Sequence, residues 1–194
     1  MNRLLFSTAF AVSLGAGSAA SAQAIPAATV AVVDLEKVTS ECTACKSAAA
    51  TLRGQVTGLQ TREQALTTPL ETEQKSIQAA VDALAGKQPD AALQARAKAW
   101  ETKRQQAAQE LARQQQQIQR NQAYISQQIQ TKLGPIYQQV MQKRGANLMV
   151  EAGNTLATSS SIDVTTDVLA ALNAALPAVQ TTAPAAAQQQ PQGR

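Results

Sequence analysis

Two cysteines separated by two residues, Cys42-Thr43-Ala44-Cys45, form the one spacing in this 194-residue chain that suggests covalent or metal chemistry. Such a pair has three meanings. A dithiol redox couple belongs at the start of a helix in a βαβ frame, whereas the residues after Cys45 read as one long helical stripe. A structural zinc site takes about four ligands, and the chain has no His and no third Cys, so subunits would have to share the metal. A local disulfide or an inert thiol pair is the remaining meaning, and an oxidising compartment favours the disulfide. Neither metal nor cofactor is expected.

The same inventory argues against an enzyme. Proton transfer near neutral pH is usually the work of His, and there is none. No Ser or Cys stands beside an evident base, and no glycine-rich phosphate loop appears. What the chain does have is unevenly placed charge. Residues 46–144 carry 14 Lys or Arg against 7 Asp or Glu, a net of +7. The flanks, residues 25–45 and 146–193, set Lys37 against six acids, a net of −5. Lys98, Lys103, Arg113 and Arg120 lie off any apolar stripe, so they are the candidates for attracting an acidic chain or an anionic lipid surface; plain solvated helix surface is the alternative. Nucleic acid is not an expected partner, because the chain has one Trp and no recognisable binding module.

Positioning those charges falls to two long helices. Leu52, Val56, Leu59, Glu63, Leu66, Leu70, Glu73, Ile77, Ala80 and Leu84 follow at alternating spacings of four and three, a heptad seam. Leu93, Ala97, Trp100, Arg104, Ala107, Leu111, Gln114, Ile118, Asn121 and Ile125 repeat the rhythm beyond Gly86-Lys87-Gln88-Pro89. The seams are mirror images about Gln88-Pro89, so a fold-back would set Leu84 on Leu93, Ile77 on Trp100, Leu70 on Ala107, Leu59 on Ile118 and Leu52 on Ile125. The same register matches Glu73 with Arg104 as a seam ion pair and Glu63 with Gln114. At ~1.5 Å per residue each limb would be about 60 Å long. Pro69 should kink the first limb and Gly134-Pro135 the second.

The rest of the chain divides around this hairpin. Residues 1–24 combine a basic start with a short apolar run and small residues, the pattern of a signal peptide cleaved after Ala22 or Ala24; the product would be exported to the periplasm. Residues 25–45 and 146–176 should make a small body: a buried strand at Ala28–Val33, a helix starting at Thr39 or Ser40, a second strand at Asn147–Glu151, a third at Thr155–Ala157 and a closing helix through Val168, Leu169 and Leu172. The arm takes residues 46–145, with its tip at 86–90. Residues 177–194, built from Ala, Gln, Pro and Thr, have nothing to bury and read as a disordered tail. The class is α+β, mainly α: a long antiparallel coiled-coil arm on a small β-rich body. With 3 % aromatics and about 100 residues spent on the arm, the body is too small to stand alone and calls for oligomerisation.

Val30-Ala31-Val32-Val33-Asp34, the central hairpin, the run Gly145 to Val150, and the close from Ser161-Ile162-Asp163-Val164-Thr165-Thr166-Asp167-Val168-Leu169 to Leu172-Asn173 together resemble the OmpH family of periplasmic chaperones. The likeness extends over nearly the whole mature chain. It implies a homotrimer in which strands and helices of three chains build a common body, with three hairpins reaching out around a cavity. Unfolded outer-membrane proteins would be held there without ATP, and basic arms would also draw lipopolysaccharide. The Cys42/Cys45 pair, the Gln and Ala enrichment of the arms and the long tail depart from the family pattern. A structural or adaptor coiled coil of the envelope is the alternative function. In either case Leu111 and the other seam leucines serve packing first.

Overall fold

The computed structural model describes residues 26–184; the expected signal peptide and residues 185–194 lie outside them. The chain begins with a strand, β1 (Val30–Val33), followed by a short helix α1 (Leu35–Glu41) and the long helix α2 (Thr43–Asp82). A turn over 83–90 reverses it into α3 (Ala91–Arg144), which returns to β2 (Leu148–Glu151) and the closing helix α4 (Thr165–Ala175). β1 and β2 pair in parallel, Val30 opposite Leu148 through Val33 opposite Glu151, so the connection between them is the whole hairpin. On its other edge β1 meets the 163–164 segment: Val32 bridges Asp163, and the Val164 N–H donates to the Val32 carbonyl at 2.8 Å. That placement explains why Val-Ala-Val-Val is an unbroken apolar run. A strand flanked on both sides and covered on both faces has no polar alternate positions.

Helix α1 starts earlier than the sequence reading placed it. The Asp34 carboxylate caps it by accepting from the Lys37 N–H at 2.8 Å, so Thr39 and Ser40 lie inside it. The helix then breaks at Cys42, whose ψ of 126° is extended. Cys42 caps α2 in turn, its Sγ accepting from the Cys45 N–H at 3.2 Å, and the free Thr43 N–H donates to Asn173 Oδ1 at 2.9 Å on α4. The far end of the hairpin is set by Asp90, which accepts from the Leu93 N–H at 2.8 Å. α3 ends in a Schellman pair of bonds, Ala146 N–H to the Met141 carbonyl and Gly145 N–H to the Gln142 carbonyl, with Gly145 at φ +66°. Pro69 and Pro135 leave both helices continuous.

The core sits in the body. Val38, Cys42, Val168 and Leu172 are fully buried among Ala31, Val33, Leu133, Ile136 and Val140, so the base of α3 is a body element as much as an arm. Each such side chain contributes roughly 1.5–3 kcal/mol. Two expectations for this region are corrected. Thr155–Ala157 is not a strand: residues 152–154 form a 3-10 turn, which carries the chain away from β2, and it runs on irregularly. Within one subunit the body is therefore mostly helical, with two four-residue strands. The tail is not wholly detached either. Leu176 is buried, Val179 packs on the core, and residues 178–184 lie against the base of the hairpin.

Candidate functional site

Along the arm, the seam of α3 is the stripe its spacing implies. Leu93, Ala97, Trp100, Leu111, Gln114 and Ile118 are half-buried, and Ala107, Asn121 and Ile125 are buried; Arg104 alone of the ten is exposed. On α2, Leu52, Leu59, Leu66, Leu70, Glu73, Ile77, Ala80 and Leu84 are half-buried, but Val56 and Glu63 face solvent. Gln55 takes the inward place instead, with its Oε1 accepting from Asn121 Nδ2 at 2.8 Å.

Leu59 with Ile118, Leu70 with Ala107 and Leu84 with Leu93 share cavity walls as the mirror rule expects, while the polar side chains cross to other partners. The Trp100 indole N–H donates to the Leu70 carbonyl at 2.9 Å, one heptad nearer the tip than the Ala107 expected opposite Leu70. Glu73 pairs with Arg96, Nε to Oε1 at 2.6 Å, and Arg96 also reaches Ser76 Oγ. Arg104 is held by Glu101 on its own helix at 2.7 Å, with its guanidinium 5.8 Å from the Trp100 ring centroid. The expected Glu73–Arg104 pair is thus corrected to Glu73–Arg96. Glu63 has no part in the seam; the neighbouring Arg62 crosses to Glu110 at 2.7 Å. These contacts set the carboxylates' acidity. The hydrogen bonds from Arg96 and Arg62 hold Glu73 and Glu110 below the usual carboxylate range, and Arg104, with help from Gln105, lowers Glu101 to about 2.

The four candidate cations occupy different settings. Lys98 and Arg113 are exposed and turned away from the seam. Lys103 is exposed on the seam's flank, where with Ala65, Leu66, Pro69, Leu70 and Ala107 it lines a cavity of about 280 Å³. Arg120 is only half-exposed. It donates to the Gln117 side chain through Nη2, and its Nε is buried without a partner among the described residues. Cys42 and Cys45 are bonded to each other and buried, at 0 % and 6 % exposure. Among the described residues no group of His, Cys, Asp and Glu is disposed to hold a metal ion.

A further feature escaped the sequence reading. Gln117, Asn121, Tyr124 and Gln128 recur at spacings of four, three and four along the flank of α3, and all four contact the tail. Gln128 clamps one residue with both ends of its amide: Oε1 accepts from the Gln180 N–H at 3.0 Å and Nε2 donates to the Gln180 carbonyl at 2.8 Å. Asn121 Oδ1 accepts from the Ala183 N–H at 2.8 Å, Gln117 Nε2 donates to the Ala183 carbonyl at 3.4 Å, and Gln55 Nε2 of α2 donates to the Thr181 carbonyl at 3.2 Å. The signal was present in the sequence as amide residues at helical spacing, but a Gln-rich helix gives no hint of which Gln meet a backbone.

At the foot of the arms, Val33, Leu35, Tyr137, Met141 and Leu148 to Val150 line an open cavity of about 370 Å³ beside the sheet. Leu148 is 46 % exposed, and Leu156 is fully exposed.

A pair of long antiparallel helices growing out of a small α/β body defines the class, and comparison with known proteins gives the family. The family model OmpH, "Outer membrane protein (OmpH-like)", matches residues 29–172, and the chain belongs to that family. Among solved structures it is similar to an OmpH-like protein of Caulobacter crescentus CB15, described as a candidate outer membrane chaperone: TM-score 0.68 at 17 % identity, over 86 % of this chain and 96 % of that one. No curated protein matches. No helix among the described residues is long and apolar enough to cross a membrane.

Proposed function

We propose that this protein is a periplasmic, ATP-independent holdase: three copies join through their bodies, and unfolded outer-membrane proteins are held between the hairpin arms and kept from aggregating. The observation that carries the reading is the division of charge along the fold, net +7 on residues 46–144 against −5 on the flanks. Basic arms raise the local concentration of an acidic unfolded chain, or of anionic lipid or lipopolysaccharide, while a body of opposite sign does not compete for it. The open apolar cavity beside β2 supports assembly, since a two-stranded sheet of four-residue strands is not stable with its apolar edge in water. Family membership adds to this reading, and so does the want of a catalytic constellation among the described residues.

Aggregation decides the matter. A urea-unfolded β-barrel outer-membrane protein, diluted into buffer, should stay clear by light scattering at equimolar trimer and turn cloudy without it. Reversing Lys98, Lys103 and Arg113 to Glu should weaken that protection several-fold at low salt and little at high salt. Undiminished aggregation with the wild-type protein would overturn the reading. Stoichiometric capture of one folded partner would point to an envelope adaptor instead.

A further inference from the structure

We propose that the amide-lined groove at the base of the hairpin is a binding site for the backbone of non-helical polypeptide, and that residues 178–184 occupy it in cis as an exchangeable stand-in for an unfolded client. The inference rests on the holdase reading for the client's identity, and on geometry for the site itself.

The contacts are to main chain. Of the tail's residues, Gln180 and Ala183 each have both N–H and carbonyl engaged by side-chain amides, and Thr181 has its carbonyl engaged. A carboxamide carries the same donor and acceptor as a peptide group. A stripe of them therefore satisfies an unpaired backbone as a neighbouring strand would, without reading sequence. One hydrogen bond alone, Tyr124 Oη to Gln180 Oε1 at 3.2 Å, involves a tail side chain, beside the packing of Val179 on the core. Apart from Val179 and Gln180, the tail's Ala, Thr and Pro leave little else to recognise.

The groove runs past the contacts made by the described part of the tail. Beyond Ala183 it continues as an open cavity of about 250 Å³ between α2 and α3, with Leu59 and Ile118 flanked by Gln55, Gln114 and Gln117. Gly58 lines it, and a Cβ built there would meet nothing within 4 Å, so the wall is open. Asn121 is 3 % exposed with the tail in place. Without the tail Asn121 keeps Gln117 on Oδ1 and Gln55 on Nδ2 and has one acceptor position of Oδ1 open, which any peptide N–H of an unfolded chain can fill. A tethered occupant competes at high effective concentration, so it weakens the apparent affinity of any chain from outside.

Proline substitution in the tail separates release from damage. Gln180→Pro with Ala183→Pro deletes the two donated N–H groups and leaves the groove and every helix untouched. A fluorescein-labelled peptide of residues 178–184 should bind this full-length double variant at least about tenfold tighter than wild type by anisotropy. Adding Gln117→Ala and Gln128→Ala should abolish the gain, with helicity unchanged. The double variant should also bind an unfolded β-barrel protein about tenfold tighter. A peptide that fails to bind the released variant, or binds equally well without Gln117 and Gln128, would overturn the groove. Peptide binding with unchanged client affinity would overturn the exchange. If neither wild type nor variant holds an unfolded client, the holdase reading falls while the peptide assay still judges the groove.

Discussion

At the scale of single residues, the arm shows how a repeat hides its own polar partners. Leu70 shares a cavity wall with Ala107 and also receives the Trp100 indole N–H on its carbonyl, so spacing alone does not say which polar groups cross the seam. The long side chains reach past the residues opposite them: Trp100 donates to the Leu70 carbonyl, and Arg96 meets Glu73. Neither was legible from spacing, whereas the half-buried seam itself was. The ion pairs give a pH test with a definite sign. Glu73, Glu110 and Glu101 have depressed pKa values in the fold, so their stabilisation is complete above the unfolded carboxylate value of about 4.3. It is lost as pH falls through the folded values, about 2 for Glu101. In an NMR titration, Arg96→Ala should raise the Glu73 pKa toward the ordinary carboxylate range and leave Glu101 alone. Arg104→Ala should do the reverse.

Elements are decided by caps and backbone freedom more than by propensity. The sequence reading began the first helix at Thr39 or Ser40 because both are good cap residues. The structure uses Asp34 and then breaks the helix at Cys42, a break stabilised from outside by Asn173, far away in sequence. Such a tertiary partner leaves no local mark. Two glycines test the logic. Gly145 sits at φ +66° at the end of α3, and Gly145→Ala should destabilise by about 1–2 kcal/mol. Gly54 lies inside α2, with nothing within 4 Å of an added Cβ, and Gly54→Ala should stabilise by about 1 kcal/mol. Urea titrations followed by circular dichroism at fixed protein concentration would read both. The Cys42–Cys45 bond closes a loop of four residues, so reducing it should cost no more than about 2 kcal/mol. With both sulfurs buried, the protein should not accelerate insulin reduction by dithiothreitol.

For the whole molecule, composition told more about assembly than about the tail. Residues 178–184 read as disordered because they have little to bury, and composition takes no account of hydrogen bonds offered by a distant helix face. The expectation that so small a body needs partners leads to the last prediction. Leu148, 46 % exposed, lines a cavity with Leu35, Met141 and Met149, and Leu156, a few residues after β2, is fully exposed, a costly arrangement for a chain alone in water. If three bodies cover one another there, two leucines per subunit leave water together. At roughly 1.5–3 kcal/mol each, a trimer gains on the order of 10 kcal/mol from them. Leu148→Glu with Leu156→Glu should therefore yield monomers by light scattering and lower the midpoint of thermal unfolding, while Lys98→Glu, out on the arm, should leave three subunits together. Loss of client protection in the leucine variant, with arm helicity retained, would tie holding to assembly, because a single pair of arms encloses nothing. A leucine variant that remains trimeric would place the contact elsewhere on the body.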